Sequence, residues 1–209
     1  MRRQTRVGPS RCLYDRLHGG SEAPPPGSAA AARTPYDQSV ELIEFGRLSE
    51  QQYAELVGDE NDPWDAGDST LQWRPKDRHF AVRDDDGRLL AAAGLVVADV
   101  SFGDEQSMPV VGIGGVIVAA PHRGQGLGAR VISEAVRQAH GLGPEIAMLF
   151  CHPDRAELYR RHGFVEVSGR VMADQPEGVV AMPPLTMWRA LKGGVTLPDG
   201  VVKIHGLPF

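Results

Sequence analysis

Only two cysteines, Cys12 and Cys151, occur in the 209 residues. Their number and separation exclude a disulfide framework and a structural zinc site. No run of eighteen uninterrupted apolar residues is present, which excludes a membrane-spanning helix. An excess of positive charge is missing too. The formal net charge is −5 and the isoelectric point is near 5.8. That argues against a nucleic-acid-binding surface as the main business of the chain. What remains is 42% hydrophobic and 23% charged, which suits one ordinary domain around a core.

The apolar residues are unevenly spread. Residues 1–39 hold five prolines, four glycines, five alanines and four serines, with few large apolar side chains. Such a segment buries too little surface to offset its ordering entropy. Residues 1–37 are therefore expected to be a disordered tail, and 38–209 the folded domain. The arginines at positions 2, 3, 6, 11 and 16 are not followed by the apolar stretch of a secretory signal. A cytoplasmic location is expected. The tail carries six basic and three acidic residues, which leaves 16 basic and 24 acidic residues, a net of −8, for residues 40–209.

Within the domain, Val40–Phe45 reads as a short strand. Ser49 and Gln52 have the spacing of a capping box and open a helix to about Val57, stopped by Gly58. His79–Arg83 and Leu89–Val100 read as strands joined by the turn Asp84-Asp85-Asp86-Gly87. Val110–Val118 is apolar throughout and reads as a central strand. Leu127, Val131, Ile132, Ala135, Val136 and Ala139 share one face of a helix over 126–140. Glu145–Cys151 is a buried strand. Pro153 opens a helix to about Arg161, with Gly163 just past its end. Phe164–Val171 and Val179–Leu191 read as two further strands. The expected order is β-α-(loop)-β-β-β-α-β-α-β-β, a mixed α/β sheet with its helices inserted late.

The strongest local signal runs from Val116 to Ala129. A strand passes through Arg123-Gly124-Gln125-Gly126-Leu127-Gly128 directly into a helix. Glycines let the backbone approach a ligand and point several N–H groups the same way. The helix N-terminus adds partial positive charge, so the turn suits a phosphate or pyrophosphate. A dinucleotide fits the spacing of Gly124, Gly126 and Ala129. It would also require an acid at the end of the next strand, and Glu145 stands at that strand's start. Coenzyme A fits Arg123-x-x-Gly126-x-Gly128.

Together with Leu158-Tyr159-Arg160-Arg161-His162-Gly163-Phe164, this loop resembles the signatures of the GCN5-related N-acetyltransferase (GNAT) superfamily. The two stretches lie one strand apart, and the resemblance covers about residues 38–190. It implies an acyl-CoA N-acyltransferase fold in which the strand ending at Val118 splays from the strand after Glu145. Acetyl-CoA would lie in that gap as cosubstrate, with no metal. Backbone groups of Val116, Ile117 and Val118 would pair with the pantetheine arm. Arg123, Gly124, Gln125, Gly126, Leu127, Gly128 and Ala129 would hold the pyrophosphate. Tyr159 would protonate the leaving thiolate, Val118 would help polarise the thioester carbonyl, and His152 would contact the cofactor.

Many relatives carry a glutamate on the strand leading into this loop, whereas here it reads Val111-Gly112-Ile113-Gly114-Gly115-Val116 without a carboxylate. A general base is thus not assigned. Five acids and no base occur over 59–68, in a connection that suits attraction of a cation. Trp64, Asp65 and Trp73 are the acceptor-site candidates there. The apolar end, Gly206-Leu207-Pro208-Phe209, resembles more weakly the aminoglycoside 2′-N-acetyltransferases and places Phe209 at the same site.

The expected activity is acetyl transfer from acetyl-CoA to the primary amine of a small cationic molecule, in a monomer or homodimer, with no nucleic-acid or membrane partner. Acetylation of protein lysines or N-termini is one alternative, and a non-catalytic acyl-CoA sensor is another.

Overall fold

The computed structural model describes residues 40–60 and 70–209. Strand β1 (Glu41–Phe45) and helix α1 (Glu50–Val57) come first. The capping box is present: Ser49 Oγ accepts from the Gln52 amide at 3.2 Å, and Gln52 Oε1 accepts from the Ser49 amide at 2.9 Å. Strands β2 (Arg78–Arg83), β3 (Leu89–Phe102) and β4 (Met108–Val118) follow, then α2 (Leu127–Ala139) and β5 (Ile146–Cys151). After α3 (Ala156–Arg160) come β6 (Val165–Glu166), β7 (Val171–Gln175), β8 (Gly178–Ala181), β9 (Leu185–Ala190) and β10 (Val202–His205).

All ten strands join one mixed sheet. Its main path runs β6-β9-β5-β4-β3-β10-β7-β8, and β1 and β2 branch from β3. Strand β4 sits in the middle, as its unbroken apolar run predicts. The six apolar residues expected on one face of α2 are all buried, and they pack on Ala91, Ala93, Leu95, Val111 and Ile113 of β3 and β4. Each large apolar side chain removed from water there contributes roughly 1.5–3 kcal/mol. The opposite sheet face is covered in two places. Leu56 and Val57 of α1 cover Ala92 and Ile117. Residues from β7 and β10, with Phe209, cover Val96, Val110 and Met148.

The strands expected at 164–171 and 179–191 are corrected. The first run divides into β6 and the start of β7, because Gly169 holds a φ of 158° between them. Residues 179–191 are split by Pro183 and Pro184, which lack the N–H a ladder needs. The part before the prolines turns back on β7 as a hairpin, and the part after them pairs with β5. Residues 193–209 hold a full strand. β10 lies antiparallel to β3 and parallel to β7.

Candidate active site

The site begins where two neighbouring strands part. β4 and β5 pair in parallel only through Val111–Ala147, Gly112–Met148 and Ile113–Leu149. Beyond that point β4 runs on to Val118 and β5 to Cys151 without pairing. The cause is local to β4. Its register with β3 shifts between the Gly94–Gly114 and Ala92–Ile117 pairs, so that Gly115 and Val116 oppose Ala93 alone. This is a β-bulge, and Gly115 supplies its left-handed residue at φ 58°. A bulge bends its strand, and this one turns β4 away from β5. The edge from Gly114 to Val118 therefore keeps main-chain groups facing the gap.

The glycine loop stands at the end of that edge. A short 3₁₀ turn, Ala120–His122, leads to Gly124 (φ 76°) and Gly126 (φ 81°), the residue before α2. A β-carbon at Gly124 or Gly126 would meet nothing within 4 Å, so these glycines serve backbone conformation and not close packing. No side chain caps α2, and its first turn has no acid. The first amides of α2 thus present partial positive charge toward the loop.

The Arg123 side chain has a different task. Its Nε donates to the Val118 carbonyl at 3.1 Å, and its Nη1 and Nη2 grip both oxygens of Glu60, the first at 2.6 Å. It ties the end of β4 to the chain after α1. Arg123 in turn holds the Glu60 carboxyl below its usual range.

Tyr159 lies on the α2 side of the sheet. It is buried, with the Phe164 ring edge-on at 6.2 Å. Burial first, and then the nearby Cys151, push its phenol well above the ordinary tyrosine range. Tyr159 is therefore a neutral O–H donor at neutral pH. Cys151 is also buried, donates to Met187 Sδ at 3.8 Å and is pushed up to about 11, chiefly by burial. His152, by contrast, is exposed and accepts from the Asp154 amide at 3.4 Å. His162 is less exposed than its polarity suggests: its Nε2 is buried without a hydrogen-bond partner.

On the opposite face, the structure brings Trp73 and Phe209 together. Phe150 stands between them, its ring 5.6 Å from Trp73 and 5.3 Å from Phe209. Trp73 is half exposed and Phe209 is buried. Two chain segments are laced together here. The Arg74 amide donates to the Pro208 carbonyl at 2.6 Å, and Arg74 Nη2 donates to the His205 carbonyl at 3.1 Å. Trp64 and Asp65 lie outside the described residues.

Phe150 and Lys76 were not singled out from the sequence, although the alternate glycines Gly112 and Gly114 give a signal. At a period of two they share one face of β4 and mark a close approach by another group. A β-carbon on Gly112 would stand 2.3 Å from Phe209 Cγ. Gly112→Ala must therefore displace the Phe209 ring and should cost about 2–3 kcal/mol, the worth of one buried phenylalanine. In the Phe209→Ala background the same change should cost little. Thermal melts of both single variants and the double variant measure the coupling.

A shallow cavity of about 400 Å³ between Met108, Leu142 and Lys192 lies at the other end of β4, away from these groups. Among the described residues, no helix is long and apolar enough to cross a membrane.

A family model described as the acetyltransferase (GNAT) family matches residues 46–164. Glucosamine 6-phosphate N-acetyltransferase 1 of Oryza sativa subsp. japonica is 38% identical over 77 residues, 37% of this chain and 46% of that relative. The chain thus spans about half the length of the curated relative it matches. A GNAT family N-acetyltransferase (YhbS) from Escherichia coli, solved in complex with CoA, shares the fold with a TM-score of 0.52 at 18% identity, over 82% of this chain and 97% of that one.

Proposed function

Because the chain belongs to the acetyltransferase (GNAT) family, we propose that it moves the acetyl group of acetyl-CoA to the primary amine of a small cationic molecule. The amine attacks directly, with both substrates bound at once. The observation that carries this reading is the gap after Ile113 and Leu149, which leads along β4 into an uncapped glycine loop. The loop suits a pyrophosphate, and the free β4 edge suits an amide-bearing arm. The rice relative is named for an amine acceptor, in keeping with N-acetylation.

The residue roles belong to the same proposal. Backbone groups of Val116, Ile117 and Val118 hold the pantetheine arm. The amides from Arg123 to Ala129 hold the pyrophosphate, while the Arg123 side chain braces the loop through Glu60. Val118 helps polarise the thioester carbonyl. Tyr159, kept neutral by its surroundings, protonates the departing thiolate. His152 is exposed and bound to its own turn, so its part is limited to the rim. Trp73, Phe150 and Phe209 wall the acceptor side. Removing Pro208 and Phe209 should raise the acceptor KM sharply and leave acetyl-CoA binding intact.

The five acids that the sequence carries over 59–68 favour a cationic acceptor. An alkylammonium is almost entirely protonated at pH 7, and deprotonating it accounts for roughly 4–5 kcal/mol of the barrier.

Calorimetric titration of the full chain with acetyl-CoA, with NADH as the control, tests the reading. Binding of acetyl-CoA alone is expected. Binding of neither would remove the ground for the transfer reaction, and binding of NADH would restore the dinucleotide alternative.

A further inference from the structure

Lysine is scarce in this chain. Of 22 basic residues, only Lys76, Lys192 and Lys203 are lysines. Lys192 and Lys203 are surface residues paired with Glu145 at 3.1 Å and Asp174 at 3.7 Å. Lys76 is different. It is 9% exposed, and its Nζ donates to the Arg74 carbonyl at 2.9 Å. Among the described residues no Asp or Glu side chain is bonded to it, and burying a cation in that way is costly; arginine, used almost everywhere else in the chain, cannot give up its proton.

The place of this amine is built by glycines. Lys76 Cβ and Cγ occupy the space above Gly94, where an added β-carbon would stand 2.7 and 2.5 Å from them. Its Cε and Nζ lie 2.7 and 3.2 Å from the corresponding point on Gly114. Gly114 is the first β4 residue past the last pair with β5, so the amine stands at the apex of the gap. It stands on the sheet face opposite Tyr159, beside Phe209, whose carbonyl carbon is 3.1 Å from that same point on Gly114. The proton donor for the leaving group and a buried amine thus flank the gap from its two sides. The strand between them carries no carboxylate.

The geometry points to Lys76 as the general base that takes a proton from the acceptor ammonium, an inference that rests on the acetyl-transfer reading above. One proton passes from the acceptor ammonium to the Lys76 amine. The freed lone pair forms the C–N bond as the C–S bond breaks. The thiolate takes the proton of Tyr159, which the second amine proton restores through water. Lys76 releases its proton to solvent before the next turnover. Burial foremost, and then Arg74, lower its pKa to about 8, with Asp77 opposing. The charged or titratable groups facing it are Arg74, Asp77, His79 and the carboxyl end of Phe209. His79 is held below its usual range by burial, so it is neutral at the pH where Lys76 titrates.

Two measurements on the full chain test this. Lysine labelled with ¹⁵N at Nζ should give three resonances, one titrating near pH 8 and absent in Lys76→Arg. A Lys76 resonance titrating above pH 10 overturns the base, whatever the acceptor. Initial rates are then compared for spermidine, an ammonium at neutral pH, and hydroxylamine, already neutral there. In the native chain kcat/KM for spermidine should rise through about pH 8, because the neutral amine is the active form. Lys76→Arg should lose roughly 10²-fold with spermidine, as expected for a missing general base, and should lose that limb. Its hydroxylamine rate and acetyl-CoA affinity should hold within about threefold, while Lys203→Arg changes neither. Equal losses with both acceptors would make Lys76 structural and overturn the proposal. Acetyl-CoA binding without turnover of any amine would overturn the transfer reading instead, and the ¹⁵N titration would still decide on Lys76.

Discussion

Gly126→Val should weaken acetyl-CoA binding about 10³-fold and still leave a folded chain. Gly126 sits at φ 81° immediately before α2, a region that a β-branched residue enters only under strain. Holding valine there costs of order 1–3 kcal/mol. The loop would relax toward negative φ and turn its amides away from the ligand. A hydrogen bond to a charged acceptor contributes about 1.5–3 kcal/mol, so losing two of them accounts for a thousandfold. The β-carbon itself meets nothing within 4 Å, so packing is spared, and a Tm decrease of roughly 2–12 °C is expected for a chain of this size. Gly126→Ala should fall between the native chain and valine in both readouts. Calorimetry and thermal melts measure the two effects separately. Native affinity in the valine variant would mean that the loop amides do not hold the ligand.

Tyr159→Phe should lower kcat by roughly 10²- to 10³-fold, within the range of lost general acids, with acetyl-CoA affinity unchanged. Only the hydroxyl is removed, so the contact with Phe164 and the burial in the α2-side core remain. The loss is bounded because a thiolate leaves tolerably without a proton. The phenol is pushed well above its usual range by burial, so the donor stays protonated and produces no alkaline limb below about pH 10. A limb near pH 8 that persists in Tyr159→Phe would therefore belong to another group. Steady-state rates across pH 6–10, with calorimetric affinity for acetyl-CoA, check both statements. An unchanged kcat would show that the thiolate leaves without this proton.

Much of this arrangement could be read from residue order, because local chemistry dictated it. The capping box at Ser49 and Gln52, the buried stripe of α2 and the glycine loop each rest on residues close in sequence. Their periods and spacings carry the information. Long-range pairing does not announce itself in that way. Nothing near Val202 says that β10 enters between β3 and β7, since Val202 pairs with Phe102 and with Val171. The same holds for Lys76. Its neighbours in the chain make it look like a surface cation, and only the fold sets it on Gly94 and Gly114. Trp73 and Phe209 were legible as candidates, but Phe150 between them was not. It reads as one apolar residue of a buried strand, and its neighbours come from two distant segments.

The position of β10 has a consequence for how the molecule opens. The β7–β8 hairpin reaches the sheet backbone through β10 alone, and closing the β3–β10 pair joins residues 100 apart in sequence, an entropically costly step. Strands attached in this way form a cooperative unit that can detach below the global unfolding free energy. Arg74 and Pro208 are bonded to this unit or continue from it, and Phe209 joins it to Gly112 of β4, whereas the glycine loop and α2 lie outside it. Amide exchange should therefore divide the molecule along a line between its two substrates. The proposed acceptor floor should loosen and re-form, while the half proposed to hold acetyl-CoA should stay closed to exchange.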